Sequence, residues 1–219
     1  MRTAIRFLRR GVPLLMLLLT AACALERDYV DVRYGNARFA TPVPGAAAVS
    51  VAVDPRDGRT TRQDRVSTKI NGYGMEMAPI IANNDVVAET GAAIRSELQR
   101  AGFRVDGGDA RIDLEVLRFY NEFRTGFWAG RAQAEVQVNL RLFDRNGAQL
   151  YSRVYTVQGE VPSLQLATGS NAVIALQNAM ERLIAEVMGD QAFIAALLST
   201  APRGEPARGR APRGREAGA

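Results

Sequence analysis

The side chains best suited to chemistry are scarce in this sequence. Its 219 residues include no histidine and a single cysteine, Cys23. Histidine is the usual base at neutral pH, it completes the Ser-His-Asp and Cys-His catalytic groups, and it is a frequent zinc ligand. The composition therefore excludes these kinds of catalysis and histidine-containing zinc sites. We expect no enzymatic activity, no bound metal and no cofactor.

Two short stretches have residue types that could react or bind a metal. Lys69 is the only lysine, and Ser67 lies two residues before it, so the two side chains would share one face of a strand. No oxyanion hole accompanies them, and we interpret both as solvent-facing residues of a polar strand. Asp54, Asp57 and Asp64 fall in the stretch DPRDGRTTRQD, but their spacing is not that of an EF-hand loop. We interpret this stretch as a turn.

The residues before Cys23 indicate a different role for the thiol. Four arginines and no acid open the chain, and an apolar stretch then covers residues 12–22. A basic start, a short apolar middle and a small-residue end are typical of a secretory signal peptide. The stretch is too short to span a bilayer, which requires about 20 apolar residues. We predict a signal peptide over residues 1–22.

The stretch LTAAC, residues 19–23, resembles the lipobox of bacterial lipoproteins, although Thr20 stands where leucine is usual. This resemblance implies that the leader is cut before Cys23 and that acyl chains on Cys23 attach the protein to the membrane. One acyl chain binds a membrane only marginally, so a stable anchor needs two or three. Ala24, rather than aspartate, follows the cysteine, which implies the periplasmic face of the outer membrane of a Gram-negative bacterium.

The C-terminal residues 199–219 are mostly Ala, Pro, Arg and Gly, and none of their apolar side chains is larger than alanine. We predict that they form a disordered tail. The five arginines could hold an anionic polymer or membrane surface, but a solvated tail is the simpler interpretation. The leader contributes +4 and the tail +3 to the net charge of +5, which leaves −2 for residues 23–200. We therefore expect no nucleic-acid partner.

The body of the chain divides into a linker and one domain. Residues 23–46 lack periodicity, and we predict that they form the lipidated N-terminus and a linker. Residues 47–198 are predicted to form one α+β domain in the order β-β-α-β-β-β-α. Helix signals cover residues 84–101, and a longer helix begins at Gly169 and breaks at Gly189. The predicted architecture is an antiparallel sheet of about four to five strands with two main helices packed on one face.

The candidate contact residues lie in and just before the strand RAQAEVQVNLRLF, residues 131–143. Apolar and polar side chains alternate along it, which places Glu135, Gln137 and Arg141 on a polar face that either is solvated or meets a polar partner. Phe127 and Trp128 occupy the tip of the preceding hairpin. Such a tip could contact a partner protein, a glycan or a lipid headgroup, or fold back over the sheet edge.

Five longer stretches within residues 48–198 resemble the YajG-type family of bacterial lipoproteins. They are VSVAVDPRDGRT, IRSELQRAGFRV, ARIDLEVLRFY, AEVQVNLRLFDRNGAQLYSRVYTVQGE and NAVIALQNAMERLIAEVMGDQAFIAALL. These stretches are patterns of strands, turns and helices, not catalytic signatures. The resemblance implies a lipid-anchored periplasmic domain without an assigned activity, and it transfers no catalytic residue. The tail and the aromatic hairpin tip are not part of it.

Two functions stay open. We favour a non-enzymatic accessory module that binds an envelope protein complex through the polar face or the hairpin tip. It would be an auxiliary subunit of an envelope transport or cell-wall assembly system. The alternative is a binder of a small envelope ligand, such as a cell-wall fragment or a lipid, in a cleft between the sheet and the linker. An enzyme is the least favoured function, because only carboxylates and hydroxyls remain for chemistry.

Overall fold

The computed structural model describes residues 26–35, 39–126 and 129–202. Seven strands, three α-helices and one short 3-10 helix lie within these ranges. They are β1 (Asp28–Val30), the 3-10 helix (Ala46–Ala48), β2 (Val51–Asp57), β3 (Ser67–Ile70), β4 (Glu76–Ala82), α1 (Val86–Arg100), β5 (Ala110–Arg124), β6 (Gly130–Asp144), β7 (Gln149–Leu164), α2 (Gly169–Gly189) and α3 (Gln191–Ser199).

The seven strands form one mixed sheet in the order β1-β4-β3-β5-β6-β7, with β2 also paired to β5. Strands β5, β6 and β7 form an antiparallel meander, and β3 is antiparallel to β4. Three pairs are parallel, namely β1 with β4, β2 with β5, and β3 with β5. The predicted α+β class is confirmed, but the prediction of a purely antiparallel sheet of four to five strands is wrong.

The unpredicted strands come from segments with little strand signal. β1 has only three residues and lies in the segment predicted to be a linker. The stretch RVSTKINGYGMEM, residues 65–77, predicts one weak or edge strand. The structure has β3 there, and β4, which contains Pro79, begins at the end of the stretch and forms a hairpin with β3. Two of the three parallel pairs involve β5, which is 15 residues long. The first half of β5 pairs with β2, and Asn121 in its second half pairs with Ser67 of β3 on the same edge.

Along the sequence of β5, the apolar alternation predicts a change of phase toward Leu117 and Phe119. The side chains of Ile112, Leu114 and Val116 face the core, and the register of β5 against β6 then shifts between Val116 and Arg118. Beyond this β-bulge the buried position moves to Phe119. The predicted change of phase in β5 is therefore confirmed, and it lets one long strand keep an apolar face toward the helices.

Both predicted main helices are confirmed. Asp85 caps α1 by accepting hydrogen bonds from the backbone N–H groups of Val87 and Ala88. The side chain of Thr168 accepts from the Asn171 N–H at the start of α2. α2 packs on the meander, α1 packs on β2, and their buried side chains belong to one hydrophobic core. The stretch DQAFIAALL predicts a short final helix after Gly189, and the structure has this helix as α3.

The contact between α2 and the sheet depends on Gly159 of β7. A Cβ atom placed there would lie 2.1 Å from the Ala175 carbonyl oxygen and 2.4 Å from the Ala179 backbone nitrogen. The helix backbone therefore approaches the strand backbone at a distance that only glycine allows.

Most of the predicted linker is part of the folded domain. β1 pairs with β4, and the Val32 N–H donates to the Asn84 side-chain oxygen at 2.9 Å. Further along, the Val43 N–H donates to the Ala101 carbonyl at 2.9 Å. From Asp28 onward the segment predicted as a linker therefore covers the domain instead of separating it from the membrane.

A buried carboxylate holds this N-terminal segment to α1. Glu97 has no exposed surface, and its Oε2 atom accepts from the backbone N–H groups of Phe39 at 3.1 Å and Ala40 at 3.0 Å. The Arg100 guanidinium, one turn along the helix, forms an ion pair with the same carboxylate. The charge is thus compensated by one cation and two backbone donors.

Replacement of Glu97 by alanine is expected to lower the free energy of unfolding by about 3–5 kcal/mol, because it leaves buried donors and Arg100 without their acceptor. Chemical denaturation measures this value. Glu186→Ala, at an exposed position of α2, is the control and should change stability by less than about 0.5 kcal/mol. Equal losses in the two variants would show that the Glu97 carboxylate does not hold the segment.

Candidate functional site

The helix-free side of the meander presents a mostly polar surface, which also contains the exposed Val154 of β7 opposite Asn139. Along β6, the inward side chains are buried, and the outward ones are partly exposed, apart from the more exposed Arg131. We call the outward residues of β5, β6 and β7 the polar face. It brings together the predicted contact residues Glu135, Gln137 and Arg141, because residues two apart in a strand share a side. The predicted alternation along β6 is confirmed.

Each of these three residues has a partner on a neighbouring strand. Glu135 Oε1 lies 3.2 Å from Arg118 Nε on β5. Gln137 donates a hydrogen bond from Nε2 to the Thr156 hydroxyl on β7 at 3.0 Å. Cross-strand pairs of this kind stabilise a sheet and fix the side chains in place. The polar face is therefore an ordered surface.

The region around Arg141 is the least satisfied part of the polar face. Asp113, which is only 6% exposed, has its Oδ2 atom 4.0 Å from Arg141 Nη2 and its Oδ1 atom 3.2 Å from Arg111 Nε. Neither Asp113 Oδ1 nor Arg141 Nε has a hydrogen bond of good geometry within the described residues. Asp54 of β2 is the register neighbour of Asp113 and adds a second acid beside it.

A cleft lies at the end of the sheet where β5 turns into β6. Two overlapping cavities of about 340 and 630 Å³ occupy it, within the size range of small-molecule sites. We call this space the end cleft. It lies between the β3–β4 turn, the β5–β6 hairpin and the loop after β7. Apolar and basic side chains that line it are Ile70, Phe123, Leu164, Arg124 and Arg131.

Exposed apolar side chains surround the end cleft. Tyr73 and Met75 in and beside the β3–β4 turn are 90% and 58% exposed, and Leu166 in the loop after β7 is 71% exposed. The sequence pattern does not reveal this group, because its two segments are far apart in the chain. A ligand cleft is predicted between the sheet and the linker, whereas the N-terminal segment packs on the domain.

Asp28 at the start of β1 is bound tightly beside the end cleft. Its carboxylate accepts from Lys69 Nζ at 2.6 Å and from the Gly169 N–H, at the start of α2, at 2.9 Å. An acid is stabilised at a helix N-terminus. Lys69 Nζ also donates to the Glu26 carbonyl oxygen at 2.8 Å. We call these contacts the Asp28 clasp, and they link the N-terminal segment to β3 and α2.

The side chains of Ser67 and Lys69 do not form a dyad. The Ser67 hydroxyl is fully buried and donates to the Asn121 carbonyl oxygen at 2.8 Å, while Lys69 binds Asp28. Ser67 is thus a buried residue, and its interpretation as a solvent-facing one is wrong.

The acidic loop after β2 contains local ion pairs. Asp57 binds Arg59, with Nη2 at 2.8 Å, and Asp64 binds Arg65, with Nη2 at 2.9 Å. Within the ranges that the structure describes, no group of three or more acids, cysteines or histidines could hold a metal ion. Residues 54–57 belong to β2, so the interpretation of the stretch as a turn is wrong for these four residues and holds only for the loop over residues 58–64.

A further cluster of ionisable side chains joins α3 to β7. Asp190 Oδ2 accepts from the Tyr151 hydroxyl at 2.6 Å, from Arg153 Nη1 at 2.6 Å and from the Tyr155 hydroxyl at 3.1 Å. Burial raises the pKa of Asp190, but hydrogen bonds from Tyr151, the Phe193 N–H, Arg153 and Tyr155 outweigh it, and the pKa lies well below its usual value. Both carboxylate oxygens are occupied by structural donors, so this cluster holds elements together.

Three predicted site residues lie outside the described part of the chain. They are Cys23, predicted to be lipidated, and Phe127 and Trp128 of the hairpin tip. Their roles stay predictions. Among the described helices, none combines the length and the apolar character needed to cross a membrane.

Three solved structures are similar to the chain at low sequence identity, and the first of them shares its fold. A protein from Xanthomonas campestris assigned to the DUF330 family is 16% identical, with a TM-score of 0.51 over 75% of this chain and 93% of that one. A minor lipoprotein from Acinetobacter baumannii is 11% identical, with a TM-score of 0.37 over 68% of this chain and 93% of that one. A protein from Caulobacter crescentus, described as a candidate lipoprotein, is 26% identical, with a TM-score of 0.35 over 51% and 80% of the two chains.

Among curated proteins, no match to the sequence is found. A family model described as an uncharacterised lipoprotein, Lipoprotein_16, matches residues 40–198. This range covers most of the chain and all the elements from β2 to α3, apart from the last residue of α3. The resemblance to a lipoprotein family without an assigned activity is thereby confirmed. The chain belongs to the Lipoprotein_16 family of uncharacterised lipoproteins.

Proposed function

We propose that the protein is a non-enzymatic binding module of the bacterial cell envelope, anchored by acyl chains on Cys23. It acts through contacts of the polar face with a partner protein, as an auxiliary subunit of an envelope transport or cell-wall assembly system. Its place is the periplasmic face of the outer membrane. Family membership supports the lipid anchor, and the lipobox stretch before Cys23 supports it independently.

One observation supports the polar face as the contact surface for the partner. Asp113, Arg118 and Arg141 keep buried polar atoms without hydrogen bonds within the described residues, although Gln133 and Gln137 on the same face form hydrogen bonds to β7. Buried polar groups are normally satisfied, and each exception costs free energy. A partner that excludes water and adds a donor or acceptor beside Asp113 would complete the network. The surrounding pairs hold the surface in one conformation, which lowers the entropy cost of binding.

Cross-linking and capture of the tagged, full-length protein in cells tests this proposal. The double variant E135R/R141E reverses both charges and should recover about tenfold less of the partner complex than wild type does. Gln137→Arg, which breaks no ion pair, should also reduce recovery. Glu186→Arg on α2 is the matched control and should recover as much as wild type. Thermal melting of each variant verifies that the domain is folded.

Cys23→Ser separates the anchor from the contact. The unlipidated protein should leave the membrane fraction and recover little partner in cells, yet it should bind the purified partner through an intact polar face. Equal recovery by wild type, the double variant and Gln137→Arg, with the same membrane fraction, would overturn the proposed contact surface.

A second function is favoured by the end cleft. Its volume of about 340 Å³ and its apolar lining suit one small amphipathic ligand, such as a lipid or a cell-wall fragment. Native mass spectrometry of the protein purified from envelopes would reveal such a ligand as added mass. Ile70→Trp, which fills the cleft, should remove that mass and leave partner capture unchanged.

A further inference from the structure

The predicted lipid anchor is close to one end of the domain. Lys69 Nζ holds the carbonyl of Glu26, the first described residue, at 2.8 Å. Only three residue steps separate Glu26 from Cys23, and an extended chain covers at most about 11 Å in three steps. The headgroup region on each side of a bilayer is about 5–8 Å thick. A lipidated Cys23 therefore keeps Glu26 at or just above the headgroups.

The Asp28 clasp fixes the position of the chain just after Glu26. Asp28 follows Glu26 by two residues and binds Lys69 and the start of α2, and β1 then pairs with β4. The chain thus leaves the domain at a fixed point. That point lies at the same end as the end cleft, because Ile70 follows Lys69 and lines the cleft.

The side chains at this end suit a membrane surface. Tyr73, Met75 and Leu166 are more than half exposed around one cleft. Single exposed apolar residues are ordinary, but a group rimmed by polar residues marks an interaction surface. Tyrosine is also enriched at the level of lipid headgroups. Leu150 and Val154 are also apolar and exposed, but to a smaller fraction. They lie in the first part of β7, away from the end cleft.

An unpaired arginine at this end can face an anionic surface. Glu76 lies 3.5 Å from Arg62 and Glu122 lies 2.8 Å from Arg118, so both acids are paired, while Glu26 is exposed and has no ion pair within the described residues. Arg131 lines the cleft, is exposed, and has no ion pair within the described residues. An arginine close to an anionic membrane contributes about 1 kcal/mol of attraction.

We propose that the end of the domain that carries the end cleft is seated on the lipid bilayer in which Cys23 is anchored. Tyr73, Met75 and Leu166 lie among the headgroups, and Arg131 faces anionic lipid. The meander strands then run away from the membrane for about 45–50 Å, and the polar face is presented sideways to a partner. This inference rests on the lipid anchor of the proposed function.

Site-specific fluorescence on the full-length, lipidated protein tests the inference. Acylation occupies the thiol of Cys23, the sole cysteine, so an introduced cysteine is the one free thiol. Tyr73→Cys and Leu166→Cys each receive an environment-sensitive dye. Leu150→Cys, an exposed apolar position near the opposite end of the meander, is the matched control. Proteins are reconstituted in vesicles of phosphatidylethanolamine and phosphatidylglycerol that contain a lipid-attached quencher.

We expect quenching at positions 73 and 166 to exceed that at position 150 by about threefold or more, since collisional quenchers act over contact distances. Arg131→Glu in the Tyr73→Cys protein should reduce the quenching on these anionic vesicles. Equal, weak quenching at all three positions in protein that floats with the vesicles overturns the inference and leaves the anchor intact.

Two other outcomes would also overturn the inference. Protein that does not float with the vesicles lacks the anchor, and this result overturns the proposed function together with the inference. A blue shift at positions 73 and 166 that depends on protein concentration in the unlipidated Cys23→Ser background would assign the surface to a second copy of the chain, and it overturns the membrane contact.

Discussion

Replacing Gly159 by alanine is expected to lower the free energy of unfolding by about 3 kcal/mol or more. The added methyl group would lie 2.1 Å from the Ala175 carbonyl oxygen and 2.4 Å from the Ala179 backbone nitrogen. Both atoms belong to the backbone of α2, so no side chain can move aside. Either the helix shifts off the sheet or the strand bends, and overpacking of this kind is costly. Urea or guanidinium unfolding measures the change.

Gly189→Ala is the matched control for this prediction. Gly189 also belongs to α2, at its last residue, and a Cβ atom there would meet nothing within 4 Å. Alanine should leave stability unchanged or raise it by up to about 1 kcal/mol, because it has the higher helix propensity. Similar unfolding midpoints for the two variants would mean that α2 does not approach β7 as closely as the structure shows.

Replacing Asp190 by alanine is expected to lower the free energy of unfolding by about 2–4 kcal/mol. One carboxylate oxygen caps α3 by accepting from the Ala192 and Phe193 N–H groups, and the other accepts from Tyr151, Arg153 and Tyr155. A helix cap contributes about 1 kcal/mol, and hydrogen bonds to a charged group contribute about 1.5–3 kcal/mol each, without full additivity. Asp190→Asn keeps an oxygen for the cap and should lose less than alanine does.

The pH dependence of stability tests the same cluster. The pKa of Asp190 in the folded protein lies below its ordinary value of 3.8, because the hydrogen bonds to the carboxylate outweigh the opposing effect of burial. The unfolded chain therefore takes up the proton first as the pH falls. The stabilisation from the charged carboxylate is complete above about pH 5 and decreases below about pH 4.

The difference in unfolding free energy between wild type and Asp190→Asn should accordingly be constant near neutral pH and become smaller below about pH 4. Denaturant unfolding at a series of pH values measures it. A difference that stays the same down to pH 3 would show that the charge of Asp190 contributes nothing to its contacts.

Much of the fold can be predicted from the sequence because the longer elements carry redundant signals. β6 alternates apolar and polar residues without interruption, and α1 has a capping aspartate, an apolar stripe and Gly102 just after its end. Asn146-Gly147 joins β6 to β7, with Gly147 in the left-handed region at φ 82°. The same alternation suffices to place Glu135, Gln137 and Arg141 on one face.

The remaining features depend on contacts between distant segments. A strand of three residues, such as β1, has no measurable periodicity, and its pairing with β4 is decided by the sheet edge that it covers. The end cleft needs a turn, a hairpin and a loop that are separated by dozens of residues. Local patterns contain no information about such neighbours.

The Asp28 clasp and α3 lie at opposite ends of the meander, so the two ends of the domain differ. Glu26 is held beside β3 and the end cleft, whereas α3 follows Asp190, which binds residues near the start of β7 at the other end of the meander. Leu198 of α3 approaches Gly45, just before β2, so the described chain finishes at that other end too. In a lipid-anchored molecule, one end of the domain thus lies at the membrane and the other end lies away from it. The described chain therefore ends about one strand length away from the anchored end.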